Sequence, residues 1–154
     1  MEIKFARDGS VADTIMGLLH EATGSIDGAL YRLNHPGLAQ ALDEAAERGV
    51  RVRLLVDGNK YKESRVTQEL LTGARVPFRL AFGRQGRGSK MHHKFVILDQ
   101  RTVLTGSYNW THESEDENHE NLIVLDDDDS VAAYAREFNS LWAGAGQNGS
   151  GNAR

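Results

Sequence analysis

Apolar residues in this chain recur every three to four positions in some stretches and gather in short runs in others, and the two patterns predict different elements. Residues 2–5 read as a first strand. Ser10 is a candidate N-cap with Asp13 three residues on, and Val11, Ile15, Met16, Leu18 and Leu19 continue the helix toward Gly24. Residues 26–33 read as a strand with Gly28 inside it. Pro36 suits the first turn of a second helix, which carries Leu38, Ala41, Leu42 and Ala45 and stops at Gly49. Residues 50–56 form an apolar strand broken by Arg51 and Arg53. Further on, the pattern predicts a short helix around 66–71, strands at 76–81, 95–98, 102–105 and 121–125, and a flexible loop at 83–89. A last helix runs to Trp142, with Val131, Tyr134, Phe138, Leu141 and Trp142 on its inward stripe.

The opening order β-α-β-α-β has crossovers long enough for helices, which implies parallel strands covered by helices. The expected fold class is therefore α/β, with a mixed, largely parallel sheet flanked by helices on both faces. Residues 1–142 form a single domain in this reading, and the Gly-, Asn- and Ala-rich residues 143–154 a flexible tail.

Composition adds limits. A 154-residue chain that is 40% hydrophobic and 26% charged is long enough to bury a core. No apolar run approaches a membrane span, so stable membrane insertion is not expected. The start at Met1, with no basic-then-apolar leader, predicts a cytoplasmic protein, or a secreted or periplasmic one if a leader has been removed. The lack of cysteine excludes disulfides and thiolate metal sites. The net charge of −4 argues against a nucleic-acid partner until its distribution is considered. Residues 113–129 hold nine acids and no Lys or Arg. The Asp run at 126–129 precedes the last helix, where acids favour the helix dipole. Residues 75–94 carry six basic residues (Arg75, Arg79, Arg84, Arg87, Lys90 and Lys94) and no acid.

That basic segment runs into the chemistry. His92 and Lys94 are two apart just before an apolar strand, so they share a face. If the strands at 95–98 and 102–105 pair, Gly106 turns the chain and delivers Ser107 and Asn109 back toward His92. An imidazole, an ammonium, a hydroxyl and an amide facing one point suit a phosphate ester.

The spacing H-x-K-x4-D-x6-G-S-x-N over residues 92–109 resembles the HKD signature of the phospholipase D superfamily. The flanking MHHKF and TGSYNWT resemble its small nuclease-like branch, which has one signature per chain and includes metal-independent bacterial endonucleases and mitochondrial cardiolipin hydrolases. The resemblance implies a phospholipase D-like fold and a two-step mechanism. One His attacks phosphorus to form a phosphohistidine, and a second protonates the leaving oxygen and then activates water. Lys94 and Asn109 would hold the non-bridging oxygens, with Ser107 donating a further hydrogen bond. Glu120 lies eleven residues after Asn109, where the family places an acid that orients the partner histidine. Asp99 belongs to the motif but is implied to be more structural than chemical. No cofactor or metal is implied, because the cations are side chains. The mechanism needs two signature histidines and the chain has one, which implies a homodimer sharing one site.

Arg84, Arg87 and Lys90 are candidates for backbone-phosphate contact, or else a solvated loop. Tyr31, Tyr108 and Trp110 could stack on bases or simply pack. His93 is expected at the rim or in a structural role, and His20, His35, His112 and His119 as surface or capping residues. The expected function is a sequence-nonspecific endonuclease acting on DNA or RNA, with a preference for single strands. The alternatives are a phospholipid hydrolase of the cardiolipin-cleaving kind and a non-catalytic nucleic-acid-binding module.

Overall fold

In a computed structural model, which describes residues 1–146, seven strands and six α-helices alternate around one sheet. In chain order they are β1 (Glu2–Phe5), α1 (Val11–Glu21), β2 (Ser25–Leu30), α2 (Pro36–Glu47), β3 (Arg51–Asp57), α3 (Gly58–Glu63), α4 (Arg65–Gly73), β4 (Phe78–Ala81), β5 (Lys94–Leu98), β6 (Thr102–Gly106), α5 (His112–Asp116), β7 (Asn121–Leu125) and α6 (Asp128–Gly144). The start signals operate as their chemistry requires. The Ser10 hydroxyl accepts from the Asp13 amide, and His35 caps α2 by accepting from the Leu38 amide ahead of Pro36. Asp127 caps α6 by accepting from Ser130, and α6 runs past Trp142 to Gly144. The rest of the expected tail, from residue 147, lies outside the described residues.

The sheet order is β1-β7-β6-β5-β2-β3-β4. The fold is a mixed α/β sheet with helices on both faces, but the expected balance of strand directions is reversed. Only β2–β3 and β3–β4 pair in parallel. The β1–β7, β7–β6, β6–β5 and β5–β2 pairs are all antiparallel. The parallel expectation rested on helical crossovers, which hold for β2-α2-β3 and for the return to β4. It fails for β1, because α1 delivers the chain to the middle of the sheet and leaves β1 at its far edge, against β7.

Strand alternation sorts the core into two layers. Ile26, Leu30, Leu54, Val56, Val96, Leu98 and Leu104 pack with Ile15, Leu19, Leu38 and Leu42 of α1 and α2. Ala29, Leu55, Phe95, Ile97 and Val103 pack on the other face with Val131 and Phe138 of α6. Asp27, almost fully buried on the α6 face, is held bidentately by Arg53, whose guanidinium lies over the Phe138 and Trp142 rings.

Residues 83–89, expected as a flexible loop, fold into a turn closed by its own hydrogen bonds, Gly83 N–H to Ser89 O and Ser89 N–H to Gly86 O, with Gln85 N–H donating to the Ser89 hydroxyl. A β-carbon on Gly83 would stand 2.5 Å from the Lys90 amide nitrogen, so only glycine closes this turn.

Candidate active site

Five strand ends meet at one end of the sheet. Because β5 is antiparallel to both β2 and β6, Lys94 lies beside Leu30 and Phe95 beside Thr105, and the Tyr31 amide extends the ladder by donating to the His93 carbonyl. The antiparallel β6–β7 pair brings Gly106 opposite Leu122. Parallel β3 ends on the same side at Asp57. Sheet topology thus gathers His92, Lys94, Ser107, Asn109 and Glu120 at that end, together with residues far from them in sequence.

Gly106 makes the turn out of β6 with φ of +151°, and a β-carbon there would stand 2.3 Å from the Asn121 carbonyl oxygen. The close approach lets Ser107 donate to the Glu120 carboxylate at 2.5 Å while its hydroxyl accepts from the Asn121 amide. Asn118 holds the other Glu120 oxygen at 3.1 Å. Glu120 is buried, and both its carboxylate oxygens are tied down.

His92 and Lys94 share the α1/α2 face. The Lys94 ammonium donates to the His92 carbonyl at 2.9 Å and lies 3.5 Å from His92 Nε2. Their common floor is Tyr31, whose buried ring meets the His92 imidazole edge-on at 4.5 Å and has Lys94 Nζ 5.3 Å from its centre. His92 is held below the usual histidine pKa by burial first and then by the charges of Lys94 and Lys90, with Asp57 opposing them. Lys94 is lowered by burial, which the Glu120 charge opposes. The result is an imidazole biased toward its neutral form beside a cation. The Asn109 Oδ1 atom is buried and has no hydrogen-bond partner among the described residues. A buried polar atom left open at a site is what a ligand-contacting group looks like before the ligand arrives.

Arg84, Lys90 and His92 line one cleft of about 510 Å³, with Phe82, Met91 and Leu141 and with the His93–Glu137 pair on its α6 side. Arg87 does not line it, and its guanidinium lies over the Phe82 ring at 4.9 Å. The rest of the basic run is structural. Arg75 pairs with Asp43 and Glu47 of α2, and Arg79 stacks over Trp142 at 4.1 Å while donating to its carbonyl. Asp99 is not brought to the site. It lies at the opposite end of β5, where its carboxylate accepts from the Thr23, Gly24 and Ser25 amides. Burial would raise its pKa, but those amides and Arg101 outweigh burial and hold it below the usual carboxylate value. His93 points to the other face and pairs with Glu137 of α6 at 2.8 Å. Tyr108 and Trp110 are buried packing residues.

Sequence reasoning missed Asp57, whose two oxygens accept from the Lys60 amide and from the Met91 amide, fixing the segment just ahead of His92. An Asp-Gly pair closing an apolar strand was the only local signal. The sequence offers Tyr31 for stacking or packing, and its place beneath His92 depends on strand order, which the sequence does not carry.

The acidic segment is largely consumed internally. Glu115 accepts from the Ser10 hydroxyl, the Ala12 amide and the Tyr108 hydroxyl, Glu113 pairs with Arg32, and Asp127 caps α6. No group of His, Asp and Glu suited to a metal ion occurs among the described residues, and His112 and His119 are exposed.

Residues 15–142 match the family model described as "Cardiolipin synthase, PLD-like domain". The chain belongs to this PLD-like family. It is 32% identical over 137 residues to the mitochondrial cardiolipin hydrolase of Homo sapiens, covering 86% of this chain and 51% of that protein. The chain thus spans about half the length of that curated relative. Its fold is similar to that of Nuc from Salmonella typhimurium, a phospholipase D family member, with a TM-score of 0.84 at 23% identity and coverage of 94% and 95% of the two chains. It is also similar to NucT from Helicobacter pylori, with a TM-score of 0.81 at 22% identity and coverage of 94% and 98%. Within this PLD-like chain, the motif residues other than Asp99 converge on one end of the sheet, and the remaining member of the signature braces the other.

Proposed function

We propose that this protein is a phosphodiesterase that cleaves nucleic acid without a metal and with no sequence preference, through a phosphohistidine on His92. The observation that carries the reading is the cleft in which Arg84 and Lys90 flank His92: two cations lead a polyanion to an imidazole biased toward its neutral form, and the acid in the lining, Glu137, is paired with His93. In the first step His92 Nε2 attacks phosphorus, the P–N bond forms as the P–O bond to the leaving oxygen breaks, and a second histidine gives that oxygen its proton. Water activated by the second histidine then breaks the P–N bond. Lys94 and Asn109 meet the negative charge that builds on the non-bridging oxygens. Ser107 and Asn118 hold Glu120 beside them, where it sustains the charge of Lys94 and can receive an imidazole N–H from a partner protomer. The second histidine is then His92 of a twofold-related copy, and the enzyme is a homodimer with one shared site.

A phospholipid hydrolase is the second reading, favoured by the cardiolipin hydrolases among the curated relatives. Against it, the exposed large apolar residues (Met1, Ile3, Phe5 and Val66) do not line the His92 cleft. No helix among the described residues is long and apolar enough to cross a membrane.

The deciding experiment is cleavage of labelled single-stranded DNA, duplex DNA, RNA and cardiolipin vesicles in excess chelator. The expected result is cleavage of nucleic acid, fastest on single strands, reduced at least about 1,000-fold in His92→Ala. Cleavage of lipid alone would establish the second reading. Loss of activity in chelator would overturn the metal-free mechanism.

A further inference from the structure

A second cleft opens at the same end of the sheet. Arg32, Lys60 and Arg65 line about 340 Å³ there, together with Glu63 and Ser64. Lys60 ties this cleft to the reacting centre. Its ammonium lies 5.7 Å from the centre of the Tyr31 ring, the same ring that meets His92 and Lys94. The cations are only loosely compensated. Lys60 faces Glu63 at 3.4 Å in an exposed i,i+3 pair, Arg32 faces Glu113 at 3.7 Å, and such pairs are weak in water. Arg65 has no ion-pair partner among the described residues. It is the first residue of the nine-residue helix α4, whose first turn contains no acid. A helix N-terminus already carries partial positive charge, so a cation placed there is disfavoured unless an anion joins it. Ser64 caps the helix by accepting from the Thr67 amide, but Arg32, Lys60 and Arg65 around the hollow outnumber its one lining acid, Glu63, and favour an anionic ligand.

We propose that this cleft binds a second phosphate of the substrate, the neighbour in a single-stranded polynucleotide of the phosphodiester that reacts at His92. The inference rests on the nuclease reading above and extends it. A strand crossing Tyr31 sets one phosphate on Lys94 and the next on Lys60 and Arg65, with Arg84 and Lys90 following the chain on the side of the first cleft. A polynucleotide carries a phosphate at every nucleotide, so a strand held at His92 has a neighbouring phosphate to offer the second cleft.

The test is binding of a labelled single-stranded oligonucleotide by fluorescence anisotropy, in chelator, with His92→Ala as the background so that no turnover intervenes. Arg65→Glu should raise Kd at least about tenfold, and Arg65→Lys should recover most of the loss. Arg101→Glu, the same charge change on the turn at the opposite end of β5, should raise it less than about threefold. Equal weakening by the two reversals would overturn the site, because general electrostatic attraction would then suffice. So would an Arg65 effect confined to cardiolipin vesicles, or no oligonucleotide binding at all. In the chain that retains His92, Arg65→Glu should act on KM more than on kcat. Arg65-dependent binding without cleavage in that chain would leave the second phosphate site standing and remove the nuclease reading, so the two failures are distinguishable.

Discussion

At the scale of single residues, His92 is governed by its surroundings more than by its own chemistry. Burial and the charges of Lys94 and Lys90 favour its neutral form, and Asp57 resists them. A nucleophile with a lowered pKa stays active further into acid. The acidic limb of kcat/KM should therefore lie below pH 6.5, the unperturbed histidine value. Removing a neighbouring cation makes protonation easier, so Lys90→Ala should move that limb upward, toward pH 6.5, as well as raising KM. A pH–rate profile of the two proteins checks the sign, and a downward shift would contradict the assignment. The motif residues were legible because the signature compresses His92, Lys94, Ser107 and Asn109 into one short stretch. Asp57, Tyr31, Lys60 and Arg65 were not, because nothing local in the sequence states that the ends of β2 and β3 arrive beside the start of β5. The run of six basic residues misled for the same reason. Arg75 and Arg79 sit in it by sequence and in the framework by structure.

At the scale of elements, Glu115 joins parts of the chain about a hundred residues apart. It accepts from the Ser10 hydroxyl and the Ala12 amide at the start of α1, and from the Tyr108 hydroxyl between Ser107 and Asn109. Burial and the Glu115 carboxylate push the Tyr108 phenol far above its usual pKa, so it stays protonated and donating. Glu115→Ala would remove three acceptor contacts and strand a buried hydroxyl. The expected loss is about 2–3 kcal/mol, measured by chemical denaturation. A loss below about 0.5 kcal/mol would mean that water replaces the carboxylate without cost. Element positions were well marked by local pattern. Hydrophobic runs located β1, β3, β5, β6 and β7 to within a residue at each end, and Ser10, Pro36 and the Asp run marked helix starts. Helix α5 escaped because HESED has no apolar periodicity, only the Thr111 cap that accepts from Ser114. The strand order escaped because pairing is a long-range choice that short windows do not encode.

At the scale of the whole molecule, the proposed chemistry needs two copies of His92. Mixing the parent with excess His92→Ala and letting protomers exchange should therefore depress activity as the square of the parent fraction. An equal mixture should retain roughly a quarter of the activity. Retention of a half would mean that each protomer works alone. Net charge is a second property visible only at this scale. The overall balance of −4 conceals the cations gathered around His92 and Tyr31, because several acids of residues 113–129 are engaged elsewhere: Glu115 and Asp127 at helix starts, Glu113 on Arg32 and Glu120 on Ser107. Charge distribution in three dimensions, more than its total, decides whether a polyanion is admitted.

The pairing of the first strand with the last has a consequence for how the protein is made. Glu2 meets Val124 and Phe5 meets Asn121, so β1 emerges from the ribosome long before its partner exists. Glu120, which anchors Ser107, belongs to the same late segment. The nascent chain therefore carries the motif histidine for some time without the edge of the sheet that completes its surroundings. The site proposed above for nucleic acid is thus completed only when the last strand has emerged, late in synthesis on a messenger RNA.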